Sequence, residues 1–244
     1  MFRKYAINLY DSWARQSEKT LLSFIEKNPN VRLLDLGCGD GKLTVKIAKK
    51  IGTKDVNAIE ALPIKIKSIK TKRTNLNEKF PFNSNSFDVV ISNYSIEHLY
   101  NTSLFISETY RVLRKGGYVV VATDNLASWP NIISLVFGYQ AFSTTFMING
   151  KSIGNPYALR VEGPVETGPA PDPEFARKWR DIGEFGHNKV LAYKGLIDAY
   201  KAHGFEIEKV SGVGYFPFKG FLSSIMARLD PRHSHLIILK AKKN

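Results

Sequence analysis

A single cysteine, Cys38, stands among 244 residues, so no internal disulfide can form and a reducing compartment is the expectation. Long apolar runs are missing too. The longest, near Ile132–Phe137, falls far short of the roughly 20 residues that span a bilayer. Met1–Arg15 is polar and mixed and lacks the apolar centre of a signal peptide. The chain therefore reads as cytoplasmic, with no transmembrane segment. Two nucleotide-binding patterns are also lacking. G-x-G-x-x-G fails because Lys42 stands where the third glycine belongs, and no G-x-x-x-x-G-K-[ST] occurs. Acids are scarce, 22 against 35 Lys and Arg, for a formal net charge of +13. The excess concentrates between Lys42 and Lys79, where Lys42, Lys46, Lys49 and Lys50 share one face at helical spacing. Such a face suits RNA or an acidic membrane surface, or it is simply solvated. The solvated reading is preferred, because no aromatic residues interleave with the lysines.

What is present begins at Val31–Thr44, V-R-L-L-D-L-G-C-G-D-G-K-L-T. A short apolar run reads as a buried parallel strand, and Gly37, Gly39 and Gly41 follow at alternate positions. Glycine permits positive φ and close approach of a ligand to the backbone. The turn delivers its amides at the start of a helix, a place suited to a nucleoside-containing cofactor. Cys38, inside that turn, reads as a small filler rather than a nucleophile.

The order Asp35-x-Gly37-x-Gly39-x-Gly41 resembles motif I of the class I S-adenosylmethionine-dependent methyltransferases. The resemblance continues in order through residues 31–124: Val56–Glu60 as a second strand ending in an acid, Thr74–Asn77 with Phe80-Pro81-Phe82, Ser86–Ser92 as a fourth strand, and Arg111–Gly117 running into Tyr118–Ala122 as a fifth. It implies cofactor contacts at Asp35, Gly37, Cys38, Gly39, Glu60, Ala61, Asn75, Leu76 and Asn93. Asp35 would face the cofactor ammonium, Glu60 both ribose hydroxyls, and Asn75, where the family has Asp, the adenine amino group. The implied fold is α/β: a doubly wound, seven-stranded, mostly parallel sheet with an insertion after the fifth strand, in a single domain over residues 1–244. S-adenosylhomocysteine would be the product of the cofactor.

Outside those blocks, Tyr5–Lys27 reads as a helix whose Trp13, Leu21, Leu22 and Ile25 form an apolar stripe. In the family such a segment covers the cofactor, which would bring Tyr10 or Trp13 to the site, with core packing the preferred reading for Trp13. Residues 31–124 read as strands alternating with helices. Leu191–His203 reads as a helix ended by Gly204, with strands at Phe205–Val213 and Leu236–Lys242. Between them, residues 125–188 open with a candidate amphipathic helix, Ser128–Gly138. They then enter Asn155–Pro173, which holds five of the eleven prolines. A stretch that long without regular structure is functional or disordered. It is read as a lid or substrate-binding insertion, with a linker as the alternative.

Methyl transfer from a sulfonium needs orientation of donor and acceptor. A hydroxyl acceptor also needs help losing its proton. Ile96-Glu97-His98-Leu99 follows the fourth strand, and His187 stands in Gly186-His187-Asn188 before the last helix. This set resembles the E-x-x-E-H…H site of ubiquinone-type O-methyltransferases and of small-RNA 2′-O-methyltransferases, with Tyr94 in place of the first Glu. Glu97, His98 and His187 are the catalytic candidates. A divalent metal, a metal-free base and a purely structural role stay open. His233 and His235 read as surface loop residues.

The whole chain resembles the small-molecule "type 11" methyltransferases. That implies an O-methyltransferase acting on a small molecule or a glycan sugar. An RNA methyltransferase is the alternative, and a non-catalytic, cofactor-binding partner subunit the second.

Overall fold

The computed structural model describes residues 2–62, 64–148, 151–158 and 187–244. The apolar run before the glycines forms β1 (Leu33–Leu36), buried at every position. It lies mid-sheet between β2 (Val56–Glu60) and β4 (Phe87–Asn93), paired in parallel with both. With β3 (Lys70–Arg73), β5 (Leu113–Asp124), β8 (Phe205–Val213) and β9 (Leu236–Lys243) the sheet has the order β3-β2-β1-β4-β5-β9-β8. Only β9 runs against the rest, between β5 and β8. A separate hairpin joins β6 (Phe146–Ile148) to β7 (Lys151–Ile153). The seven-stranded, mostly parallel sheet is the fold expected from the sequence.

Side chains alternate across a strand, so the central strands feed two cores. Leu34, Leu36 and Val90 point to the face covered by α3 (Thr102–Val112) and α5 (Tyr193–Ala202), meeting Phe105, Ile106, Leu196 and Tyr200. Leu33 and Ile91 point to the face covered by α1 (Phe2–Phe24) and α2 (Lys42–Ile51), meeting Leu21, Phe24, Ile47 and Ile51. Gly52, in the left-handed region, ends α2 by donating its N–H to the Ala48 carbonyl. Two further helices are α4 (Trp129–Val136), which follows β5, and α6 (Gly220–Leu229), which follows the edge strand β8. No helix among the described residues is long and apolar enough to cross a membrane.

Two expectations change. Strands do not alternate with helices throughout: among the described residues of 61–69, between β2 and β3, there is no helix. β3 itself, Lys-Thr-Lys-Arg, carries no apolar alternation, because it is an edge strand whose side chains are exposed or half-exposed. His235 is not a surface residue. It lies buried against the rings of Tyr10 and Trp13 at 5.0 and 4.7 Å. Trp13 packs into the core as expected. Of Asn155–Pro173, residues 159–173 lie outside the described residues, as does most of the proposed lid's second half.

Candidate active site

The order of the sheet reverses between β1 and β4, and their carboxyl ends open the crevice where doubly wound sheets bind ligands. The glycine turn lies at that crevice. Gly37, Gly39 and Gly41 all take positive φ, 82°, 56° and 77°. A Cβ on Gly37 would collide with Ser95 Oγ, which itself donates to the Leu36 carbonyl at 2.9 Å. The turn is thus closed tightly against the residues that follow β4, and its tightness requires glycine.

Two buried acids flank it. Asp35, at 3 % exposure, accepts the Thr44 hydroxyl at 2.6 Å, and burial, with a smaller push from Glu60, raises its pKa to about 7. Glu60 accepts the N–H of Gly39 and of Ala61, both at 2.8 Å, and of Leu62 at 3.3 Å. Burial still raises its pKa above the ordinary value. Glu60 therefore braces the glycine turn, and with about four lone-pair sites on a carboxylate it keeps capacity for further donors. Burial and the neighbouring carboxylates push the Cys38 thiol far above its usual range, so it is a poor nucleophile. Leu76 is buried near Gly37. The exposed Asn75 uses its side-chain oxygen to accept from the N–H and the side-chain amide of Asn77, at 2.9 and 3.0 Å. Ala61 is exposed, and Asn93, half-buried, ends β4. The positive-φ turn, two buried acids and the shaped crevice fit a cofactor with an ammonium and a ribose diol.

Glu97 and His98 lie in a single 3₁₀ turn after β4. His187 reaches the same place because the carbonyl of Glu97 accepts the N–H of Asn188 and of Lys189, at 2.8 and 3.1 Å. One ligand atom from each of Glu97, His98 and His187 lies within 4.8 Å of the others, and the two imidazole rings meet edge-on at 4.8 Å. The structure thus brings the three candidates together. His187 Nδ1 faces the Ser143 carbonyl at 2.6 Å and Asp124 Oδ2 at 3.3 Å, both acceptors. Nδ1 therefore carries the proton, and Nε2 is the nitrogen suited to bind or accept. Glu97, buried, accepts the Thr123 hydroxyl at 2.9 Å. Tyr94 cannot serve as a carboxylate ligand. Its phenol is buried and hydrogen-bonded to Ser17 at 2.8 Å.

Sequence reading missed Asp124, Thr123 and His235. The first two end β5, whose carboxyl end is a ligand-binding position in such sheets, and that was the available signal. Burial lowers the pKa of His235, which feels both Asp124 and His187.

An apolar cavity of about 340 Å³ is walled by Tyr10 and Trp13 of α1, Ile133 and Phe137 around α4, Phe142 and Phe216. Phe142 adjoins Ser143, whose carbonyl holds His187, and Tyr10 and Trp13 pack on His235. The cavity thus shares Tyr10 and Trp13 with the packing of His235, while Glu97, His98 and His187 are not among its walls.

Residues 34–121 match the family model of a methyltransferase domain. The chain is 24% identical over 203 residues to a mitochondrial ubiquinone biosynthesis O-methyltransferase of Rattus norvegicus, an alignment covering 78% of this chain and 49% of that protein. The chain spans about half the length of the first curated relatives it matches. In fold it resembles an S-adenosylmethionine dependent methyltransferase of Mesorhizobium loti, with a TM-score of 0.57 at 18% identity over 92% of this chain and 96% of that one. It also resembles a Burkholderia thailandensis 1,6-didemethyltoxoflavin-N1-methyltransferase with bound S-adenosylhomocysteine, with a TM-score of 0.55 at 11% identity over 96% and 79%. Motif, sheet order and matched family agree that the chain carries a class I S-adenosylmethionine-dependent methyltransferase domain.

Proposed function

We propose that this chain transfers a methyl group from S-adenosylmethionine to a hydroxyl oxygen of a small molecule with an aromatic or otherwise apolar body. The carrying observation is the convergence of Glu97, His98 and His187 within 4.8 Å, with an apolar cavity lined by Phe142, the chain neighbour of the Ser143 that holds His187. The cavity wall favours an apolar acceptor over a glycan sugar or an RNA strand, whose hydroxyls and phosphates would find few partners there. The O-methyltransferase named among the relatives supports the same reading. The residues after β5 supply α4 and Phe142 to that wall, which supports reading 125–188 as a substrate-binding insertion.

When bound, the cofactor supplies an electrophilic methyl on a sulfonium. Asp35 and Glu60 are the residues that would hold its ammonium and ribose and so orient it. Glu97, His98 and His187 form a two-nitrogen, one-oxygen donor set of the kind that holds a divalent ion, and such an ion would favour the acceptor's oxyanion form. Asp124 and the Ser143 carbonyl orient His187 and fix its tautomer, as outer partners of metal-bound histidines do. The Asp124–His187 pair equally supports a second reading, in which His187 Nε2 takes the hydroxyl proton without a metal and Asp124 stabilises the imidazolium.

The test measures S-adenosylhomocysteine formation with simple phenols and catechols as acceptors. His187→Ala should lower kcat/KM by about 10²–10⁴-fold while leaving cofactor affinity by calorimetry unchanged. Activity lost on chelator dialysis and restored by a divalent ion supports the metal reading. Activity indifferent to chelator supports the base. Full activity of His187→Ala would overturn both.

A further inference from the structure

The helix α6, Gly-Phe-Leu-Ser-Ser-Ile-Met-Ala-Arg-Leu, is turned inside out. Its buried positions are the small Ser223 and Ala227, whereas Phe221, Leu222, Ile225 and Leu229 form one stripe facing away from the protein. Phe221 is 82% and Leu229 75% exposed. A surface helix ordinarily does the reverse, and a contiguous apolar patch of this kind marks an interaction site.

The flanks of the stripe are basic. Lys219, Arg228 and Arg232 are exposed, and the one acid of the segment, Asp230, is engaged by the Tyr215 hydroxyl at 2.8 Å and by His233. A second apolar edge lies at the end of α4, where Val136 is 76% and Phe137 73% exposed. Both edges border the apolar cavity: Phe137 and Phe216 line it, and α6 begins four residues after Phe216. The Trp129 indole of α4 donates to the Tyr215 hydroxyl at 2.6 Å and stacks at 4.8 Å on His233, residues that flank α6 on either side.

We infer that α6 and the end of α4 dock this chain on an anionic lipid bilayer, lying in the interface without crossing it. An apolar stripe between basic flanks is the chemistry of a helix that inserts shallowly among acidic headgroups. Charge complementarity selects the occupant. A chain of net charge +13 repels a second copy of itself and is attracted to acidic lipid. The inference goes beyond the proposed reaction and stands without it.

Vesicle sedimentation tests it with the full chain, comparing phosphatidylcholine vesicles with vesicles of phosphatidylcholine and phosphatidylglycerol in equal parts. The wild type should sediment with the mixed vesicles and stay in the supernatant with the neutral ones, and added salt should release it. The double variant Phe221→Asp, Leu229→Asp changes only exposed positions and should keep the circular dichroism spectrum and Tm. It should bind the mixed vesicles at least about tenfold more weakly. Failure of the wild type to sediment with mixed vesicles, equal binding to neutral ones, or binding indifferent to the double variant would each overturn the inference. So would ultracentrifugation showing a dimer that the double variant splits.

Discussion

Asp35 carries the sharpest consequence at the scale of a single residue. A carboxyl held near pH 7 by burial must ionise before it can face a cofactor ammonium. Affinity for S-adenosylmethionine should therefore rise with pH up to about 7. Below that, each pH unit should cost about tenfold, and calorimetry from pH 5.5 to 8 would show it. Asp35→Asn should bind more weakly and lose the dependence; a wild-type affinity flat across this range would refute the assignment. The same shift acts on stability with the opposite sign. A folded-state pKa raised above the unfolded value means the folded chain holds its proton longer. The contribution of Asp35 is thus present in acid, declines as pH rises from about 4, and is lost above about 7. Asp35→Asn should flatten that decline in urea unfolding of the cofactor-free protein.

Among the elements, the turn between β1 and α2 is the most constrained. Gly37→Ala places a Cβ in the left-handed region and displaces Ser95 from the Leu36 carbonyl. The expected cost is about 2–4 kcal/mol, with loss of cofactor binding. Gly116→Ala is the matched control. Its φ is 80°, yet nothing lies within 4 Å of the new Cβ, so only backbone strain of about 1–2 kcal/mol should appear. Equal losses in urea unfolding would show that Ser95 contributes nothing. The turn was legible because its requirement is local, three glycines after an apolar run. β3 was not, since an edge strand of Lys and Arg obeys no alternation rule and is held by backbone bonds to β2. His235 was misread for the converse reason. Pro-Arg-His-Ser-His looks like a polar loop in isolation, and only the packing of α1 over β9 buries its last residue.

Across the whole molecule the net charge of +13 invites a nucleic-acid reading, and the distribution of that charge bears on it. Lys42 pairs with Asp40 and Lys46 with Glu18, each at 2.8 Å, on the helix beside the cofactor crevice rather than around the cavity. Exposed pairs like these contribute little to stability but do lower the local potential. Binding to a single-stranded RNA should be weak, indifferent to sequence, and gone near about 0.15 M salt, because each neutralised phosphate releases counterions. Reversing Lys42, Lys46, Lys49 and Lys50 to Glu should then leave methyl transfer to phenols unchanged. A tight, salt-resistant complex with one RNA in a filter-binding assay would reverse the preference for a small acceptor.

By itself the sequence determined the central strands of the sheet and the glycine turn. Strand burial, glycine φ and the acids at strand ends are written in local patterns of period two and in residue type. The pairing of Glu97-His98 with His187, nearly ninety positions on, was legible only as a suspicion. It became geometry when backbone bonds from Asn188 and Lys189 to the Glu97 carbonyl tied the two segments together. The role of Asp124 beside His187, the burial of His235 and the apolar cavity were decided by tertiary structure alone. Each arises where α1, α4 and β9 close over the carboxyl ends of β4 and β5, and no local pattern records a contact between segments that distant. The outward stripe of α6 belongs to the same class. Its periodicity was in the sequence, but which side of it faces the protein depends on the small Ser223 and Ala227 fitting against the neighbouring backbone.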